Sequence, residues 1–219
     1  MRQIFPGCRP DLKRERKLLR QGFLRVAGLD EAGRGAWAGP LAAAAVILPL
    51  DSPSLRIDLH TVRDSKQMRP LQREHAAEKI RAMALAWAVG CASASEVDAL
   101  GPLRATRLAM LRALQALPVK PDHLLLDYLR LPESTLPQTP VTHGDALSLS
   151  IAAASVLAKT WRDAQMAALD GAFPGYGFAR HKGYGTLEHA RALEKMGACR
   201  EHRHSYRPVR KVEEKTPPV

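Results

Sequence analysis

The sequence predicts a single α/β domain. Apolar runs of strand length alternate with stretches of helical spacing, and no repeat or long Gly/Ser linker divides the chain. At 219 residues and 46% apolar content it is long enough to bury a core. Residues 1–22 read as a basic extension, because residues 9–20 (RPDLKRERKLLR) are basic and amphipathic. Residues 23–29 then read as a strand, and 41–48 as a second one bounded by Pro40 and Pro49. The glycine-rich turn 32–40 joins them, which predicts an antiparallel hairpin. Residues 71–86 carry helical spacing, and 87–92 follow as a further strand. Ser95, three residues ahead of Asp98, predicts a capping box for the next helical region. Gly101 breaks that region and Pro102 restarts it, with Leu103, Leu108, Leu111 and Leu114 on one apolar face. Residues 123–126 form a short apolar strand ending in Asp127. In 147–169 the small residues Ser150, Ala152, Ala153, Ala154 and Ser155 predict a closely packed, buried helix. Glycines and aromatics over 173–186 predict a surface loop, followed by a last short helix to Met196. The domain is expected to span 23–209, with a charged tail at 210–219.

Composition narrows the function classes. The 33 Lys+Arg exceed the 22 Asp+Glu, for a net charge of +11, and clustered cations attract phosphate backbones. A nucleic-acid partner is therefore favoured over an acidic protein partner or a merely basic host proteome. The charge-free run 36–50 is broken by two prolines and is shorter than the roughly 20 residues of a membrane span. Pro6 and the basic residues after it stand where a secretory apolar region would lie, which argues against export. Cys8, Cys91 and Cys199 are odd in number and far apart, so neither a disulfide framework nor a zinc cluster is expected. A reducing cytoplasm is the expected location.

Four acids carry the chemical signal. Asp30 and Glu31 follow an apolar strand and precede Gly33-Arg34-Gly35. Neighbouring side chains of a regular strand point to opposite faces, so both reach one ion only if the strand ends there. Taken alone, the pair is better read as structural, Asp30 capping a turn and Glu31 solvated. Asp127 ends the run Leu124-Leu125-Leu126, and Asp145 follows Gly144 at the start of the small-residue helix. By itself Asp145 fits an N-terminal helix acid, worth about 0.3 to 1 kcal/mol. Four acids at element ends in a basic protein are the layout of metal-assisted phosphodiester chemistry, where divalent cations offset the repulsion between carboxylates.

Residues 28–49 (GLDEAGRGAWAGPLAAAAVILP), 64–68 (DSKQM) and 144–166 (GDALSLSIAAASVLAKTWRDAQM) resemble bacterial ribonuclease HII, the type 2 ribonuclease H family. HKGYGTLEH at 181–189 and HRHSYRPV at 202–209 continue the resemblance in order, over about residues 23–209. It implies a ribonuclease H-like fold, a mixed β-sheet flanked by helices with a small C-terminal helical segment. The implied activity is endonucleolytic cleavage of the RNA strand of RNA–DNA hybrids, with nicking 5′ of single ribonucleotides in duplex DNA. Two metal ions, Mg2+ or Mn2+, would leave 5′-phosphate and 3′-hydroxyl ends, and the setting would be ribonucleotide excision repair and DNA replication. The implied partners are RNA–DNA hybrid and ribonucleotide-containing duplex, bound by a monomer that touches no membrane.

Carried over position by position, the resemblance makes Asp30, Glu31, Asp127 and Asp145 the catalytic, metal-holding acids, with Asp30 and Asp127 the main ligands. Gly33, Arg34 and Gly35 match a motif whose backbone reads the ribose 2′-hydroxyl. Tyr184 matches a tyrosine that packs on the nucleotide after the ribonucleotide. Ser65 and Lys66 are implied phosphate contacts, with Lys182 and His181 weaker candidates. Asp64 and Asp163 read as structural. The chain departs from the family pattern at Tyr128, where Gly is usual and a narrower cleft is expected, and at His143, where Lys is common. Gly101 and Met68 replace a common Asn and Leu. Retention of all four acids separates an enzyme from a binding protein that has lost catalysis. Dependence on ribose separates the expected activity from other metal nucleases on the same fold, such as a junction resolvase.

Overall fold

Strands β1 (Val26–Ala32), β2 (Leu41–Ile47), β3 (Ala86–Ala92), β4 (His123–Asp127) and β5 (Gln138–Val141) form one mixed sheet in the computed structural model, which describes residues 9–214. Residues 1–8, with Cys8, and 215–219 of the expected tail lie outside the described residues. The order is β3-β2-β1-β4-β5. β1 and β2 make the expected antiparallel hairpin, while β4 lies parallel to both β1 and β5. Strand β5 carries Pro140, which is tolerated at a sheet edge because an edge strand has one row of amides to spare.

Strand periodicity divides the core in two. Ala44, Val46 and Leu48 face one side with Leu125, while Leu41, Ala43, Ala45 and Ile47 face the other with Leu124 and Leu126. The first side is covered by α6 (Leu149–Ala172), whose Ile151 to Leu157 stretch is buried against β1 and β2. Small residues let it come close: a Cβ on Gly28 of β1 would lie 2.2 Å from the Ser150 carbonyl carbon. Helix α3 (Pro70–Met83) joins that side through Ala76, Ala77 and Ile80.

Helix α4 (Ala94–Gln115) covers the other side, and here two expectations are corrected. The capping box is Ser93 with Glu96, each accepting from the other's backbone amide. Asp98 instead accepts from the amides of His204 and Ser205 and pins the C-terminal segment. Gly101 does interrupt the helix, but the face restarted by Pro102 buries Ala105, Ala109, Met110 and Ala113, while Leu103 is exposed. The helix lies so close to the sheet that alanines fit the interface, and leucines are left to its flanks.

The stretch 173–186 is not a surface loop. It holds the short helix α7 (Phe178–His181), and Tyr176 stacks on the fully buried Phe178 at 5.2 Å within a small satellite core with Ala38 and Met166. After it come α8 (Leu187–Met196) and α9 (Arg207–Glu213), the latter anchored by Val209. The basic segment near the N-terminus forms α1 (Lys13–Arg20), which buries Leu18, together with Leu12 just ahead of it, against the α6 side. Cys91 and Cys199 are free, half-buried thiols. Among the described residues no helix is long and apolar enough to cross a membrane.

Candidate active site

Register brings the acids together. Leu29 pairs with Leu126 in the parallel ladder, so Asp30 and Asp127, one residue further on each strand, emerge side by side on the α6 face. Asp145 arrives from α5 (Gly144–Leu147), a single turn ahead of α6. That turn is tied to β4 because Asp127 Oδ1 accepts the Gly144 amide at 2.7 Å. Asp30, Asp127 and Asp145 are all buried, and each offers an oxygen within 4.8 Å of the others. Burial, reinforced by the charges of Glu31 and Asp127, holds the Asp30 carboxyl well above the usual carboxylate range. One Asp30 oxygen accepts the Glu31 amide at 2.8 Å, and the other is buried without a hydrogen-bond donor.

Glu31 is placed differently. It lies within the last residues of β1, not beyond the strand; its side chain reaches toward Arg34, 3.5 Å away, while its charge still bears on Asp30. It lines a cleft of about 420 Å3 together with Gly33, Arg34, Gly35, Ser65, Lys66, Arg73, Lys159 and Tyr184. Lys66 Nζ stands 3.6 Å from Asp145 Oδ2. Ser65 is buried, its hydroxyl engaged with Ser155 at 2.9 Å. Asp64 caps the short 3-10 turn by accepting the Lys66 amide, a structural task. Asp163 is likewise structural, holding Arg73 and Lys159 at the cleft wall. His181 is buried against the Tyr176 carbonyl, and Lys182 turns toward the Asp163 carbonyl, so neither lines this cleft.

The chain matches the family model described as Ribonuclease HII over residues 27–209. It is 52% identical over 193 residues to a Ribonuclease HII of Moorella thermoacetica, covering 88% of this chain and 91% of the relative. It is 53% identical over 201 residues to one from Anaeromyxobacter, covering 92% of this chain but 62% of that longer relative. The chain belongs to the ribonuclease HII family. The solved ribonuclease H2 of Pyrococcus horikoshii OT3 superposes with a TM-score of 0.72 at 25% identity, over 87% of this chain and 98% of that one. Membership makes the chain a metal-dependent endoribonuclease of the ribonuclease H class, acting on RNA–DNA hybrids.

In this ribonuclease HII, two fully buried arginines shape the cleft from behind. Arg162 donates to the carbonyls of Ala38, Pro40 and Lys182, and its guanidinium lies 5.2 Å from the centre of the Tyr184 ring. Arg203 donates to the carbonyls of Gly39 and Arg34, and Tyr206 adds its hydroxyl on the Arg34 carbonyl. Buried guanidiniums need acceptors, and carbonyls of the turn after β1 supply them. Arg73, Lys159, Arg162, Arg203 and Tyr206 escaped the sequence reading. The HRHSYRPV string pointed at two of them, but Arg203 meets Arg34 across 169 residues of chain, and no local spacing signals such a contact.

Proposed function

We propose that this ribonuclease HII nicks duplex DNA on the 5′ side of a single embedded ribonucleotide, as well as cutting hybrids, and leaves 5′-phosphate and 3′-hydroxyl ends. The observation that carries this reading is the buried trio Asp30, Asp127 and Asp145, opening beside a cleft walled by cations. The trio fits hard divalent cations. Three buried carboxylates within 4.8 Å repel one another, and an Asp30 oxygen with no donor is left for a cation to meet. Asp30 and Asp127 would be the main ligands of Mg2+ or Mn2+, with Asp145 and Glu31 completing two positions once substrate is bound. Such ions supply a water activated for in-line attack and a counter-charge for the leaving 3′-oxygen.

The chain's own residues take the remaining tasks. Lys66, with Arg73 and Lys159 behind it, meets the phosphate. The backbone of Gly33, Arg34 and Gly35 approaches the ribose 2′-hydroxyl, and Tyr184 packs on the next nucleotide. Removing embedded ribonucleotides would place the enzyme in repair and replication of DNA in the cytoplasm.

The test is a duplex bearing one ribonucleotide, compared with its all-deoxy counterpart, across a series of metals. Mg2+ or Mn2+ should support a nick 5′ of the ribonucleotide and none in the all-deoxy duplex. Cleavage that survives excess chelator, or that ignores the 2′-hydroxyl, would refute the reading.

A further inference from the structure

Tyr128 directly follows Asp127 and sits with φ of +67°, in the left-handed region that suits Gly. For a residue with a bulky side chain this backbone costs on the order of 1 to 2 kcal/mol. The main chain is otherwise held, since the Tyr128 amide donates to the Val141 carbonyl at 3.0 Å. Burial does not offset the strain: the residue is 60% exposed, beside a carboxylate that is 3% exposed. The guanidinium of Arg34 lies 5.7 Å from the ring centre, and Arg34 in turn reaches Glu31. An aromatic ring next in sequence to an acid of the trio thus lies beside Arg34 of the Gly33–Gly35 turn, while much of it stays open to solvent.

Strained backbone persists where something over-determines it, and such residues gather at ligand sites. Main-chain hydrogen bonds hold the turn, the Leu129 amide donating to the Asp127 carbonyl at 2.7 Å across Tyr128, but they do not call for an aromatic side chain, and the largely exposed ring is not part of the core. A duplex presents sugar edges along its minor groove, and a flat ring covers the C–H face of a sugar without regard to base sequence. We propose that Tyr128 is a direct substrate contact, its ring packing on a sugar of the bound strand next to the acid site. This rests on the nucleic-acid reading above and adds a contact that a Gly at this position could not make.

The experiment measures the Kd of a fluorescently labelled duplex bearing one ribonucleotide, by anisotropy in excess chelator, with cleavage assayed separately in metal. Tyr128→Gly keeps the backbone in a region glycine prefers, so the variant should fold at least as stably as the parent. Its Kd should rise about fivefold or more, whereas Tyr128→Phe should stay within about twofold of the parent. The same weakening should appear when Tyr128→Gly is introduced into an Arg34→Gln background. An unchanged Kd in Tyr128→Gly would overturn the proposal, as would failure of the parent to bind the duplex. A weakening that vanishes in the Arg34→Gln background would show Tyr128 acting only by holding Arg34, and would also overturn it. Binding that depends on Tyr128 without any ribose-directed nick would instead leave this contact standing and sink the proposed nuclease specificity.

Discussion

Asp127 Oδ1 accepts the amide of Gly144 at 2.7 Å, so the carboxylate ending β4 also anchors the turn that presents Asp145. The two roles can be separated. Asn keeps a carbonyl oxygen for the Gly144 amide but removes the charge a cation needs. Asp127→Asn should therefore fold with a thermal midpoint near that of the parent while losing at least about a hundredfold in cleavage rate. Asp127→Ala should lose as much activity and in addition about 1 to 3 kcal/mol of stability, because a buried amide loses its partner. Chemical denaturation of both variants separates the effects; equal stability for Asn and Ala would show that the anchor contributes nothing.

The two glycines flanking Arg34 are not equivalent. A Cβ on Gly33, whose φ is +89°, would fall 1.9 Å from Arg162 Nε, inside the buried scaffold. A Cβ on Gly35 would meet nothing within 4 Å, and its φ is not in the left-handed range. Gly33→Ala should cost stability, on the order of 2 kcal/mol or more, from steric overlap and backbone strain. Gly35→Ala should leave stability within about 0.5 kcal/mol of the parent and raise KM for a ribonucleotide-bearing duplex, because only substrate comes close enough to meet the added methyl. Unchanged kinetics for Gly35→Ala would remove Gly35 from the substrate-facing surface.

What could be read from sequence follows the range of the forces involved. The hairpin, the buried small-residue helix and the break at Gly101 depend on neighbours in the chain and all form, although the first strand runs Val26–Ala32 rather than ending at 29 and the helix runs Leu149–Ala172 rather than 147–169. The acids were legible because polar residues ending apolar runs are unusual. That three of them converge depended on the Leu29–Leu126 register, which alternation alone does not fix. Phe178 in a Gly-rich stretch looked like loop because its burial comes from Ala38, Met166 and Tyr176, distant or irregular partners. The buried face of α4 was misjudged for a related reason: leucines suggest a core face, but the closeness of the sheet decides which size fits.

Helix α1 is fastened from inside by a carboxylate. Glu15 is fully buried, accepting the Ser148 hydroxyl at 2.6 Å and the Ser150 amide at 3.0 Å, and burial pushes its carboxyl up. Removing the whole segment would thus disturb the start of α6, close to Asp145, and could not report on duplex affinity alone. Glu15→Ala should cost about 1 to 3 kcal/mol by stranding two donors, while Glu15→Gln, which keeps an acceptor and drops the buried charge, should be close to neutral. Charge removal at the exposed Arg16, Lys17 and Arg20 is the cleaner probe of duplex binding. Neutralising any one of these cations that meets a phosphate should lower the slope of log affinity against log salt by about 0.9. A slope that stays constant through all three substitutions would exclude the helix from the duplex interface.

A pair of neutral histidines predicts how stability responds to acid. His202 Nδ1 accepts the Cys199 amide at 3.0 Å, which leaves its Nε2 to donate to His189 Nε2 at 3.1 Å, while His189 Nδ1 donates to the Tyr184 carbonyl at 3.0 Å. Burial, with the nearby His181 ring, pushes His189 from 6.5 down to about 4; burial, with His189 and the neighbouring His204 and His181, does the same to His202. Between those values the unfolded chain binds protons that the folded one refuses. The pair's stabilising contribution is therefore complete above about pH 6.5 and is lost as the pH falls toward 4, on the order of 3 kcal/mol for a fully buried ring. Replacing His202 by Gln preserves a donor toward His189 but removes one titrating ring, so the fall in thermal midpoint between pH 7 and 4.5 should be shallower in His202→Gln than in the parent. Parallel midpoint curves for parent and variant would show that the His202 ring titrates alike in the folded and unfolded chains.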